Sequence, residues 1–182
     1  SDVYKRQHLS RMAAEELAPI VADRLAAAGL ATPTELAQRQ EWLHDLTDLL
    51  KTRAKTVDDI VERARPYVSD AVEYEDQAVA KHWAKKPGEV LERLRRLREA
   101  YAGVEAWEEQ PLEDRLRSLG EELGVGAGKL IHPLRVAVTG MAVSPGIFEV
   151  LVVMGRERTL ARLDAAIPRV EALARGEDAP VG

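Results

Sequence analysis

The stretch Pro87-Gly88-Glu89-Val90-Leu91-Glu92-Arg93-Leu94-Arg95-Arg96-Leu97-Arg98-Glu99-Ala100-Tyr101 decides the fold class. Val90, Leu94, Leu97 and Tyr101 recur at steps of four, three and four, which places them on one stripe of an α-helix, and Pro87 suits the first helical position. The next stretch, from Pro111 to Leu123, repeats the rhythm at Leu112, Leu116, Leu119 and Leu123. Outward from this pair, the composition agrees. The 182 residues include 27 Ala and 22 Leu, more than a quarter of the chain, whereas aromatic residues are only 4%. Good helix formers therefore dominate strand formers, and an all-α protein is expected.

Towards the N-terminus, Leu17, Val21, Leu25 and Ala28 mark a helix closed by Gly29, with Pro19 as its discordant residue. Thr32-Pro33-Thr34-Glu35 reads as a capping box opening a helix through Trp42, Leu43, Leu46 and Leu49 to about Arg53. Thr56 with Asp59 predicts another cap, for a short helix stopped by Pro66. Towards the C-terminus, Lys129 to Thr139 reads as a helix ended by Gly140. Ser144-Pro145-Gly146 forms a turn, and Ile147 to Met154 is an apolar run resolved as helix by its context. A last helix spans Arg156 to about Ala166, before Pro168 and a polar end expected to fray.

Several chemistries are excluded or weak. No Cys occurs, so disulfides and thiolate sites are absent. No apolar run approaches the roughly 20 residues that span a bilayer, and no membrane partner is expected; the protein is expected in the cytoplasm, as a monomer. Gly124-Val125-Gly126-Ala127-Gly128-Lys129 lacks the Gly spacing and the Ser or Thr of a phosphate-binding loop and reads better as a helix C-cap and joint. His8, His44, His82 and His132 are far apart, with no i, i+4 pair, so no metal site is expected. The net charge is −5. Residues 127–163 nevertheless hold Lys129, Arg135, Arg156, Arg158 and Arg162 against Glu149 and Glu157, a local charge of +3 suited to contact with a polyanion.

Three runs carry a resemblance in order. They are Gly128-Lys129-Leu130-Ile131-His132-Pro133-Leu134-Arg135-Val136-Ala137-Val138-Thr139-Gly140, Ser144-Pro145-Gly146-Ile147-Phe148-Glu149-Val150-Leu151, and Gly155-Arg156-Glu157-Arg158-Thr159-Leu160-Ala161-Arg162-Leu163. With Leu50 to Thr56, Trp107 and Leu119 to Gly124 upstream, the chain from about His8 to Ala166 resembles the C-terminal, anticodon-binding region of bacterial glutamyl-tRNA synthetases. Ser144 stands where many of that family carry Thr, and Arg156 where they carry Lys.

The resemblance implies an all-α class I synthetase region made of two small helical subdomains, residues 8–105 and 106–168, with a polar tail at 169–182. Residues 1–7, which lack an initiator Met and a helical period, read as foreign, and the natural protein is expected to extend upstream. The implied partner is tRNA: glutamate tRNA, with glutamine isoacceptors left open. The implied anticodon contacts are Arg135, Ser144, Pro145 and Ile147, with Arg53 as a candidate reader of the third anticodon position and Arg117 as a weaker candidate. No catalytic residue is assigned and no cofactor is expected in this part. ATP, with Mg, is implied for a separate catalytic domain of a glutamate-tRNA ligase. The reading set against this one is a helical adaptor that binds a partner protein through one amphipathic face.

Overall fold

The computed structural model describes Leu9 and residues 11–177; residues 1–8, including His8, and the end of the tail, 178–182, lie outside the described residues. Within them the ordered elements are ten helices and no strand. They divide into two compact units at Asp70/Ala71, whereas the sequence reading puts its boundary at 105/106. The reason is visible in the packing. The helices on either side of residue 105 lie against each other and share one core, so the chain does not divide there.

The first unit contains α1 (Ala14–Ala27), α2 (Pro33–Gln38), α3 (Gln40–Lys51) and α4 (Val57–Val68). Its core is Leu17, Val21, Leu25, Leu36, Leu43, Leu46, Leu50 and Ile60, the apolar stripes of four amphipathic helices. Both expected capping boxes are formed. Thr32 accepts from the Glu35 N–H at 3.1 Å while Glu35 accepts from the Thr32 N–H, and Thr56 and Asp59 exchange the same pair of bonds. Two expectations need correction. The helix begun at Thr32 breaks at Arg39, where ψ is 40° and the guanidinium lies 3.9 Å over the Trp42 ring. Pro66 does not stop α4, because it sits near the helix end, where burial of Pro66 and Tyr67 offsets one missing hydrogen bond.

Tyr67 is 2% exposed, and its hydroxyl has no hydrogen-bond partner among the described residues; burial also holds its pKa well above the usual phenol range. An unpaired buried hydroxyl costs its desolvation, about 1 kcal/mol or more. Tyr67→Phe is therefore expected to leave stability unchanged or raise it by about 1 kcal/mol in chemical denaturation. A loss of similar size would mean that the hydroxyl is in fact bonded.

The second unit contains α5 (Asp76–His82), α6 (Pro87–Ala102), α7 (Glu109–Leu123), α8 (Gly128–Thr139), α9 (Ile147–Met154) and α10 (Arg156–Ala174). The seam residues of α6 and α7 are buried as expected, apart from Leu123 at the end of α7, and α9 is helical. α7 ends in a Schellman turn, with Gly124 at φ 68° and the Val125 N–H bonded to the Gly120 carbonyl at 2.9 Å. α10 packs lengthwise against α6. This explains why it runs on past Pro168, contrary to the expected frayed tail at 169. Pro168 faces solvent, while Val170, Ala172 and Leu173 continue the buried stripe begun by Leu163 and Ala166. Arg98 and Arg95 of α6 pair across to Asp164 and Glu171 of α10. α5 falls in a polar stretch where the sequence reading expects no helix; only Ala78 and Val79 in it are buried, too few for a periodic signal.

Candidate nucleic-acid interface

The site is built on α8 and the turn after it. α8 carries Pro133 in its interior, and its Leu130, Leu134, Val136, Ala137 and Val138 are wholly buried, whereas Arg135 is half-exposed. The helix ends because Gly140 takes φ 75°, where a side chain is disfavoured. Thr139 then ties the end: its hydroxyl donates to the Arg135 carbonyl at 2.7 Å and accepts from the Met141 N–H at 3.0 Å. The chain reverses through 141–146 and brings Ser144 back to Arg135. The Arg135 Nε donates to the Ser144 Oγ at 2.8 Å, and that hydroxyl donates onward to the Pro145 carbonyl at 2.7 Å.

These bonds orient the guanidinium plane against the turn. A second contact joins Arg135 Nη1 to His132 Nδ1 at 3.4 Å. Ser144 and Pro145 are buried as side chains, so the turn presents backbone, Gly146 and the 63%-exposed Val143 to the outside. Such a surface offers a donor fork, peptide groups and one apolar side chain, the group types that read an unstacked base.

The structure brings Arg135, Ser144 and Pro145 together. Ile147 follows them in the chain, but its side chain is 3% exposed and belongs to the core. As a side chain it packs at the start of α9. Arg117 lies on the exposed face of α7 and pairs with Glu113 at 2.9 Å. Arg53 belongs to the first unit, exposed on the turn between α3 and α4.

The expected cationic end is also smaller than its sequence suggests. Arg162 is 2% exposed and donates to the Val138 carbonyl at 2.9 Å, neutralising the end of α8 from inside. Arg156 lies 5.1 Å from the centre of the Trp107 ring and donates to the Glu105 carbonyl, while the Trp107 indole donates to the Leu151 carbonyl. These two arginines hold the fold.

Sequence reasoning missed His82. Its ring stacks on that of His132, 50 residues away, with centroids 4.9 Å apart and planes 15° from parallel. Trp83 sets this register: its indole N–H donates to the Pro133 carbonyl at 3.1 Å, so His82-Trp83 docks on His132-Pro133. Burial lowers both imidazole pKa values, followed for His82 by the charges of His132, Lys81, Arg135 and Lys85, and for His132 by Arg135 and Lys81. Only the tertiary contact reveals the pair, since no local spacing connects the two residues. Among the described residues no group of three or more His, Asp or Glu is placed to hold a metal ion, and no helix is long and apolar enough to cross a membrane.

The chain is similar to the glutamate–tRNA ligase of Roseiflexus castenholzii, 35% identical over 162 residues covering 88% of this chain and 31% of the relative. It is also similar to glutamate–tRNA ligase 2 of Koribacter versatilis, 36% identical over 165 residues covering 91% of this chain and 33% of the relative. It thus spans about a third of the length of these curated relatives. A solved glutamate tRNA ligase from Elizabethkingia meningosepticum superposes with a TM-score of 0.78 at 24% identity, over 93% of this chain and 32% of that one, which shows the fold. The family model described as the anticodon binding domain matches residues 13–167, from the start of α1 through the Arg135 turn and into α10. With that span covering most of both units, the chain belongs to the anticodon binding domain family.

Proposed function

We propose that this chain grips the anticodon arm of a tRNA as the C-terminal part of a glutamate–tRNA ligase. The observation that carries the proposal is the Arg135 fork held against the Ser144–Gly146 turn within a domain of the anticodon-binding family. Arg135 would hydrogen-bond a base edge or stack on its plane, while the turn's peptide groups supply further partners. Arg53 is the second proposed contact, from the first unit, and Arg117 a third, which would exchange its Glu113 partner for RNA. Activation of glutamate with ATP and Mg is assigned to a part of the ligase outside this chain. The RNA partner is proposed to be glutamate tRNA, bound by a monomer, and Arg53 is the residue whose contact would decide whether glutamine tRNA is accepted too.

The test is binding of transcripts that differ only in the anticodon, measured at fixed salt. The glutamate anticodon should bind best. Arg135→Ala should weaken it about tenfold to a hundredfold, the value of one bidentate contact of roughly 1–3 kcal/mol. Arg135→Lys, which keeps the charge and loses the fork, should recover little of that loss. Equal binding of all anticodons by the wild type and by Arg135→Ala would defeat the proposal.

A further inference from the structure

We infer that the stacked pair His82 and His132, with Lys81 and Lys85, forms a subsite for an RNA phosphate directly beside the base-reading Arg135. This deepens the proposed function and rests on it. The geometry is that of a positive cluster gathered from two helices. His82 and Lys81 lie in the last turn of α5, Lys85 follows in the connection to α6, and His132 and Arg135 share a face of α8. His132 and Arg135 are 3.4 Å apart, so the imidazole stack continues the guanidinium surface without a gap. His132, Lys81 and Lys85 are exposed and His82 is half-buried, which leaves the cluster open to a ligand.

The charges acting on the rings are all cationic: for His82 that of His132 itself, and then Lys81 from α5, Lys85 from the connection and Arg135 from α8. No charge from α6 or α10, the other helices packed on α8, is among them. The acids of α5, Glu75 and Asp76, lie at its opposite end, and Glu75 accepts from the Ala142 N–H at 3.1 Å. Such a gathering of cations in a chain of net charge −5 is complementary to a compact anion. A phosphodiester next to the base held by Arg135 meets that requirement and needs no second binding event.

The same arrangement makes contact with the phosphate dependent on protonation. Burial and the neighbouring cations lower the pKa of both imidazoles, which favours their neutral forms. An anion against them reverses that balance, so binding and proton uptake favour each other. A pKa raised by about one unit on binding corresponds to about tenfold in affinity once pH lies below both values. RNA should therefore bind more tightly as pH falls from 7.5 to 5.5, a window in which carboxylates and lysines keep their charge.

The experiment uses the full chain and a labelled anticodon-arm hairpin bearing the glutamate anticodon, read by fluorescence anisotropy at pH 7.5 and 5.5 and constant ionic strength. Far-UV circular dichroism at both pH values checks folding. Wild type should tighten by roughly tenfold on going to pH 5.5, whereas His82→Gln/His132→Gln should change by less than about twofold. His8 and His44 remain in the double variant, so they report any general histidine effect. In parallel, NMR titration of the wild-type imidazole Cε1–H signals should show the midpoints of His82 and His132 rising when RNA is bound. Pronounced pH dependence in the double variant, or unmoved midpoints at RNA saturation, overturns the subsite. If the hairpin binds and Arg135→Ala weakens it while the histidines have no effect, the subsite alone fails. If the hairpin does not bind at either pH, the anticodon reading fails with it.

Discussion

Gly140→Ala is expected to destabilise the second unit by about 3–5 kcal/mol, a drop of roughly 10–30 °C in melting temperature for a unit of this size. Two effects combine. Gly140 sits at φ 75°, where a side chain costs about 1–2 kcal/mol. In addition, a Cβ built there would stand 2.1 Å from the Glu73 carbonyl oxygen and 3.1 Å from its carbon, both backbone atoms. The two segments would have to separate, stretching the bond from the Glu75 N–H to the Gly140 carbonyl, now 2.8 Å, and that from the Ala142 N–H to Glu75. Gly124→Ala is the control. Its φ is 68°, but nothing lies within 4 Å of the added carbon, so only the conformational cost, about 1–2 kcal/mol, should appear. Equal losses for the two variants in thermal melts would show that close backbone approach at Gly140 contributes nothing.

Trp83→Ala should be comparably severe, at about 3–5 kcal/mol in chemical denaturation, because it empties a large site that has little freedom to collapse. Trp83 is 1% exposed, lies against the Tyr74 ring at 4.8 Å and donates to the Pro133 carbonyl. Trp83→Phe keeps most of the volume and removes the donor, so it should cost less, roughly 1–3 kcal/mol. The two variants also differ in a way that bears on function. The indole bond holds α5 in register on α8, and the His82–His132 stack follows from that register. In Trp83→Phe the RNA affinity at pH 7.5 should change little while its rise at pH 5.5 is blunted. A full pH response in Trp83→Phe would mean that the stack forms without the indole as its guide.

How much of this was readable in one dimension depends on the range of the interaction concerned. Helix seams and capping boxes are local: residues three and four apart share a face, and a Thr three residues before a Glu meets its amide by helical geometry alone. The seams of α6 and α7, the caps at Thr32 and Thr56 and the end of α8 at Gly140 were therefore legible, whereas Arg135 and the Ser144 turn entered only through the family resemblance, and the bond that joins them across nine residues was not foreseen. The prolines misled for the same reason. Pro66 and Pro168 are local signals to stop, and burial of Tyr67 in one case and of Val170 and Leu173 in the other outweighed them.

The amino-acid order by itself determined an all-helical chain and most of its helix limits, because each of these rests on contacts between near neighbours. Only the tertiary structure decided which cations face water. Arg162 and Arg135 look alike in sequence, yet one is sealed beneath the end of α8 and the other is propped on Ser144. It also decided that His82 meets His132, because that contact depends on an indole reaching a carbonyl 50 residues away and has no period to announce it.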